Sequence, residues 1–196
     1  MKTLQKIYSD KDSEIFIFNC DENRAIINHN IIPDEQLKRI LEYKNDEDQI
    51  KRLLARTFLF EYCQKRYNLN NFSFEYTENQ RPKFKYSDID FSISYSQNII
   101  AIAVSTKSRI GVDIELLEPS IISKKVAYEF MNDKELTTFI ELNKSDRIKY
   151  FYEIWTAKES LLKARGDGLC TNPKDIINNS KKLIHFKEYI ISFTKI

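Results

Sequence analysis

At 196 residues the chain has room for one domain or two small ones, and a content of 42% hydrophobic and 13% aromatic residues suits a packed core and excludes disorder. Basic residues number 31 and acidic ones 29, so the net charge of +2 gives no basic field of the kind that would point to nucleic acid as a partner. No apolar run approaches the length of a membrane span, and Met1 to Glu14 lacks the apolar centre of a signal peptide, so a soluble cytoplasmic protein with no membrane partner is expected.

In chain order, Glu14 to Cys20 alternates apolar residues and predicts a strand, followed by a short strand near Ala25 to Asn28. Pro33 to about Tyr67 is helical, with Pro33 suited to a first turn and a break expected in the polar run from Lys44 to Gln49. Phe72, Phe74 and Tyr76 alternate along a strand, residues 78–88 read as a loop, and Asp90 to Ser94 and Asn98 to Ser105 read as a strand pair. A second half begins near Thr106. It holds a strand at Ile110 to Glu115, a helical region from Ile121 to Asn143, a long helix from Asp146 to Arg165 and terminal strands within Lys182 to Phe193. The order predicts an α+β fold of two packed halves, 1–105 and 106–196, with no sequence repeat between them.

Chemistry concentrates in the second half. Along Gly111-Val112-Asp113-Ile114-Glu115 the apolar side chains point one way and both acids the other. Two acids on one strand face repel each other; a solvated edge tolerates that, and so does a bound divalent cation. In Trp155-Thr156-Ala157-Lys158-Glu159-Ser160-Leu161-Leu162-Lys163, the residues Trp155, Glu159 and Lys163 share one helix face. The only glycines are 111, 166 and 168, which rules out a Rossmann fingerprint and a Walker A loop. Cys20, Cys63 and Cys170 are scattered and odd in number, so neither a zinc site nor a disulfide framework is indicated.

Taken together, the Ile110–Glu115 strand and the Trp155–Lys163 helix resemble the signature of the 4'-phosphopantetheinyl transferases, closest to the longer surfactin-synthetase-activating type. Arg81-Pro82-Lys83 resembles the family's basic-Pro element, Phe91 to Ser96 its F-N-x-S-H-S block, and Gly166-Asp167-Gly168-Leu169 the segment after its catalytic helix. Tyr95 stands where the family has His. A phenol carries no positive charge at neutral pH, which bears on recognition of the 3'-phosphate.

The resemblance implies an intramolecular pseudo-dimer working as a monomer. It implies transfer of phosphopantetheine from coenzyme A to a serine of an apo acyl- or peptidyl-carrier protein, with release of 3',5'-ADP. Mg2+, or Mn2+, would be held by Asp113, Glu115 and Glu159, with Glu159 as general base and Lys163 on a phosphate oxygen. Coenzyme A would be bound by Lys51, Arg52, Arg81, Pro82, Ser94, Tyr95 and Lys163, with Lys38 as a further candidate. Trp155 is expected to pack under its helix. Two alternatives use the same residues: a coenzyme A-binding relative of weak activity, and a metal-dependent phosphodiesterase.

Overall fold

The computed structural model describes residues 1–167 and 171–196, so Gly168, Leu169 and Cys170 lie outside the described residues. The first half opens with strands β1 (Gln5–Ser9) and β2 (Ser13–Asn19), then helices α1 (Asp34–Leu41) and α2 (Asp46–Tyr67). A two-stranded ribbon, β3 (Phe74–Tyr76) with β4 (Pro82–Phe84), precedes the hairpin of β5 (Asp90–Ser96) and β6 (Ile99–Ser105). The main sheet is antiparallel in the order β1-β2-β6-β5. The second half runs β7 (Ile110–Leu116), α3 (Lys124–Phe130), α4 (Asp133–Glu141), α5 (Lys144–Arg165), β8 (Lys181–Phe186) and β9 (Tyr189–Lys195). Its sheet has the order β7-β9-β8.

Both halves are therefore α+β, and both contain a strand, a long helix and a hairpin whose last strand lies beside the first. The two sheets are sandwiched between α2 and α5. Phe16, Phe18, Ile100, Ile102 and Val104 meet Leu54, Phe58 and Leu59 of α2. The alternate residues Ile15, Ile17, Ala101 and Ala103 meet Val112, Ile114, Ile191 and Phe193 of the second sheet. Because β2 is covered on both faces, Ile15 to Phe18 reads as an unbroken apolar run. Each such fully buried Phe or Ile contributes about 1.5–3 kcal/mol from its removal from water. Among the described residues no helix is long and apolar enough to cross a membrane.

Several elements differ from expectation. The strand expected near Ala25 to Asn28 is a 3-10 turn over Asp21–Ile26, pinned because Asn23 donates its side-chain amide to the carbonyls of Asn19 and Lys2. Strand β1 is additional, and β4 lies in what reads as a loop. Pro33 caps α1 instead of occupying its first turn. The helical region from 121 to 143 is two helices, divided where Asn132 and Glu135 form a reciprocal capping box.

The seam between the sheets is made by side chains. Strands β5 and β7 exchange no backbone ladder; instead Ser92, Ser94 and Ser96 accept from the N–H groups of Val112, Ile114 and Leu116 at 3.0, 3.4 and 3.0 Å. Asp90 completes the row by accepting from the Ile110 N–H at 2.7 Å.

Candidate active site

The site lies where β7 packs under α5. Gly111 makes that approach possible, since a Cβ there would stand 1.9 Å from the Ser160 carbonyl oxygen and 2.5 Å from the Ala164 nitrogen. With the helix so close, Asp113 and Glu115 point at the face of α5 that carries Glu159 and Lys163. All four, with Trp155, Ser94 and Tyr95, line one cavity of about 270 Å³. Lys163 Nζ donates to Asp113 Oδ1 at 2.6 Å and to Ser94 Oγ at 2.9 Å, and Ser94 Oγ donates to the same Asp113 oxygen at 2.8 Å. Ser96 Oγ donates to Glu115 at 3.2 Å. Thus two of the three seam hydroxyls also orient the acids. Trp155 packs edge-on against Phe130 with ring centroids 5.1 Å apart, and it borders the acid cavity as well. Lys158, beside Glu159, is turned inward: it donates to the carbonyls of Phe130 and Pro173 at 2.8 and 2.9 Å and pairs with Glu135 at 2.7 Å.

The electrostatics of the acids are unbalanced. Burial, and then the charge of Asp113, push Glu115 up to about 7; hydrogen bonds from Ser96 and Trp155 and the Lys163 charge offset only part of this. Burial and Asp113 also raise Glu159, against the pull of Lys163. Asp113 itself is 4% exposed, and its Oδ2 is buried with no hydrogen-bond partner. Among the described residues, no three His, Cys, Asp or Glu side chains stand close enough to form a ready-made metal cluster. The ammonium of Lys163 occupies the side of Asp113 that a cation would share. The residues nonetheless fit a hard divalent ion: the donors are carboxylate oxygens, one is orphaned, and two are held in ionised form only at a cost.

A larger cavity of about 360 Å³ adjoins the first through Tyr95, Glu159 and Lys163. Its apolar wall includes Pro82, Phe91 and Leu162. Arg52 and Arg56, one turn apart on α2, line it and a neighbouring hollow that also contains Arg39. Arg39 lies over the Tyr76 ring at 4.2 Å and Arg52 over Tyr43 at 3.9 Å, with Tyr95 at 5.4 Å; Arg56 lies over Phe74 at 5.1 Å. Among the described residues none of these three arginines forms an ion pair. Arg52 Nε and Arg56 Nη1 are buried without hydrogen-bond partners. Aromatic faces hold the guanidinium groups in place without neutralising them, which leaves positive charge along this wall. Lys51 and Lys38 are absent from the walls of these two Arg52-lined hollows. Arg81 lines the larger cavity, but its guanidinium is committed inside the chain, chiefly to Asp90.

The model of the 4'-phosphopantetheinyl transferase superfamily matches residues 109–193, the stretch that supplies every acid of the site. Residues 109–193 are thus similar to this superfamily. The chain is 28% identical to the 4'-phosphopantetheinyl transferase Gsp of Aneurinibacillus migulanus over 84% of this chain and 65% of the relative. It is 34% identical to the 4'-phosphopantetheinyl transferase HetI of a Nostoc species over 49% of this chain and 42% of that one. With the 4'-phosphopantetheinyl transferase Sfp of Bacillus subtilis the identity is 26% over 76% of this chain and 66% of the other. The chain spans less than two thirds of the length of each of these three relatives.

The structure brings Asp113, Glu115, Glu159, Lys163, Ser94 and Tyr95 together around one cavity. Arg39 and Arg56 are additional to the sequence-derived set. A signal for Arg56 is its four-residue spacing from Arg52, which puts both cations on one helix face. Gly168 and Leu169, from the segment after the catalytic helix, lie outside the described residues.

Proposed function

We propose that this chain transfers the 4'-phosphopantetheine group of coenzyme A to a serine hydroxyl of an apo acyl- or peptidyl-carrier protein, leaving 3',5'-ADP. The observation that carries the reading is the adjacency of two cavities of opposite character: three carboxylates with Lys163 in one, unpaired arginines over aromatic rings in the other. Coenzyme A has the matching polarity, an anionic nucleotide at one end and a pyrophosphate where the bond must break. The like order of strand, helix and hairpin in the two halves, 1–105 and 106–196, supports reading them as an intramolecular pseudo-dimer with the site at their seam. A monomer is then the active form.

Asp113, Glu115 and Glu159 would hold Mg2+ or Mn2+, which would polarise phosphoryl oxygens and offset charge repulsion against the incoming hydroxyl. Arg52 and Arg56, with Arg39, bind the 3'-phosphate and ribose end by charge-assisted hydrogen bonds. Tyr95 stands beside Arg52 and offers a neutral hydroxyl to the same end. Pro82, Phe91 and Leu162 give the nucleotide an apolar wall. Lys163 turns its ammonium from Asp113 to a pyrophosphate oxygen and stabilises the charge left on the departing 3',5'-ADP. Glu159 accepts the proton of the carrier serine.

Incubation with coenzyme A, magnesium and a panel of apo carrier proteins, followed by intact-mass analysis, tests the proposal. A carrier heavier by one phosphopantetheine is expected. Coenzyme A cleavage without a carrier adduct would instead show a phosphodiesterase, and binding without either product a coenzyme A-binding relative.

A further inference from the structure

We infer that Arg81 is a positioning residue for this transfer, clasped by Asp90 so that it fixes the helix end carrying Lys163 against the start of β7; the inference rests on the function proposed above. Both side chains are nearly buried, 10% and 11% exposed. Arg81 Nη1 and Nη2 meet Asp90 Oδ1 and Oδ2 at 2.8 and 2.6 Å, a bidentate fork. Nη2 also donates to the carbonyls of Ile110 at 3.1 Å and Phe91 at 3.3 Å, and Nε donates to the Lys163 carbonyl at 2.8 Å. At least four of the five guanidinium donors therefore have partners within the chain. What Arg81 presents to the cavity is its aliphatic stem, which also packs where a Gly166 Cβ would come within 2.9 Å of Cδ.

The bond to Lys163 carries the functional weight. The last carbonyls of a helix have no partner within it. Arg81 takes that of Lys163, Arg109 Nη2 that of Arg165, and Asn79 Nδ2 that of Gly166. Through the first of these bonds, the orientation of the Lys163 backbone is tied to Asp90. Asp90 in turn accepts from the Ile110 N–H, at the head of the strand that carries Asp113 and Glu115. One ion pair thus sets both walls of the acid cavity. A phosphate ligand for this guanidinium would have to displace a carboxylate that already holds it through two bonds. A lysine could replace Arg81 as a point charge on a phosphate, but it could not reproduce the fork.

The test compares the wild type with Arg81→Lys, Asp90→Asn and the double variant. It uses calorimetric binding of coenzyme A, kcat and KM for transfer well below the melting transition, and thermal melting. Each single change should lower kcat about ten- to hundredfold, the cost of a reacting group displaced by a fraction of an ångström to an ångström. The dissociation constant and KM for coenzyme A should stay within about threefold, and the double variant should be no worse than either single one. Arg81→Lys with wild-type kcat overturns the proposal. So does weakened coenzyme A binding in the Arg81 variant alone, which would make Arg81 a ligand. So do normal kcat values in folded variants of reduced stability, which would make the pair a packing device. A wild-type chain that modifies no carrier refutes the proposed function separately. The clasp is then judged on melting alone, where independent, additive losses refute it.

Discussion

Replacing Gly111 with Ala tests the packing on which the whole site depends. The added methyl would lie 1.9 Å from the Ser160 carbonyl oxygen, 2.5 Å from the Ala164 nitrogen and 3.0 Å from the Ser160 carbonyl carbon, all backbone atoms of α5. No rotamer change relieves a clash with backbone, so the helix must back away from β7 by about 1.5 Å to restore ordinary contact at 3.4 Å. Overpacking of this kind costs roughly 1–3 kcal/mol, and the rigid backbone on both sides places this case at the upper end. The catalytic cost is of similar size, about 2.7 kcal/mol for a hundredfold loss in rate. Glu159 and Lys163 ride on the displaced helix while Asp113 and Glu115 stay on the strand, and a misplacement of about 1 Å costs on the order of 100-fold in rate. Denaturant melts should show a loss of about 3 kcal/mol, and carrier modification followed by mass spectrometry should fall by about two orders of magnitude or more in kcat/KM. A Gly111→Ala chain with wild-type midpoint and wild-type transfer would refute the close approach of α5 to β7 as the basis of the site.

Asp113→Ala and Glu159→Ala should each reduce transfer by two or more orders of magnitude with saturating magnesium while circular dichroism stays native; activity near wild type in either would remove that residue from the metal set. Glu115 binds its proton more tightly when folded, with the value raised from 4.5 to about 7, so without metal its contribution to stability grows as pH falls from 8 through 7 and levels off below 4.5. Melting curves of Glu115→Gln should therefore show a flatter pH dependence over that window than the wild type. Magnesium should raise the wild-type melting temperature more at pH 8 than at pH 6, and the opposite order would count against carboxylate ligation. Arg52→Ala and Arg56→Ala should narrow the preference for coenzyme A over dephospho-coenzyme A by about tenfold each, an effect that salt should mimic; an unchanged preference in kcat/KM would show that this end of the cavity does not read the 3'-phosphate.

The acid strand and the helix above it were legible because both are local patterns. Alternation places Asp113 and Glu115 on one face, and a four-residue spacing places Glu159 over Lys163. Gly111 was legible as a special position, but the reason, backbone of α5 within contact distance, is a tertiary fact. The roles of Arg81 and Asp90 were hidden for the same cause. Nine residues apart, they meet only because the β3–β4 ribbon turns back on β5, and β4 is too short to leave a periodic signal. Strand β1 is an edge strand whose half-exposed residues carry little pattern. The apolar cluster of Ala25, Ile26 and Ile27 imitates a strand, yet Asn23 supplies side-chain bonds that a strand would not permit. The break between α3 and α4 was written in Asn132 and Glu135, but the apolar residues on either side run on as if one helix continued.

The serine seam has a consequence for how this joint can change over generations. Hydrogen bonds between backbones are indifferent to side-chain identity and survive most substitutions. Here each stitch at 92, 94 and 96 is a hydroxyl encoded by its own codon, and a single replacement by alanine drops that stitch alone. The contact between the halves can therefore be loosened or tightened one position at a time. Because Ser94 and Ser96 also donate to Asp113 and Glu115, a change at either of these two retunes an acid along with the joint. Variation at 94 and 96 should move activity and the coupling between the halves together, whereas variation at 92 should loosen the joint alone.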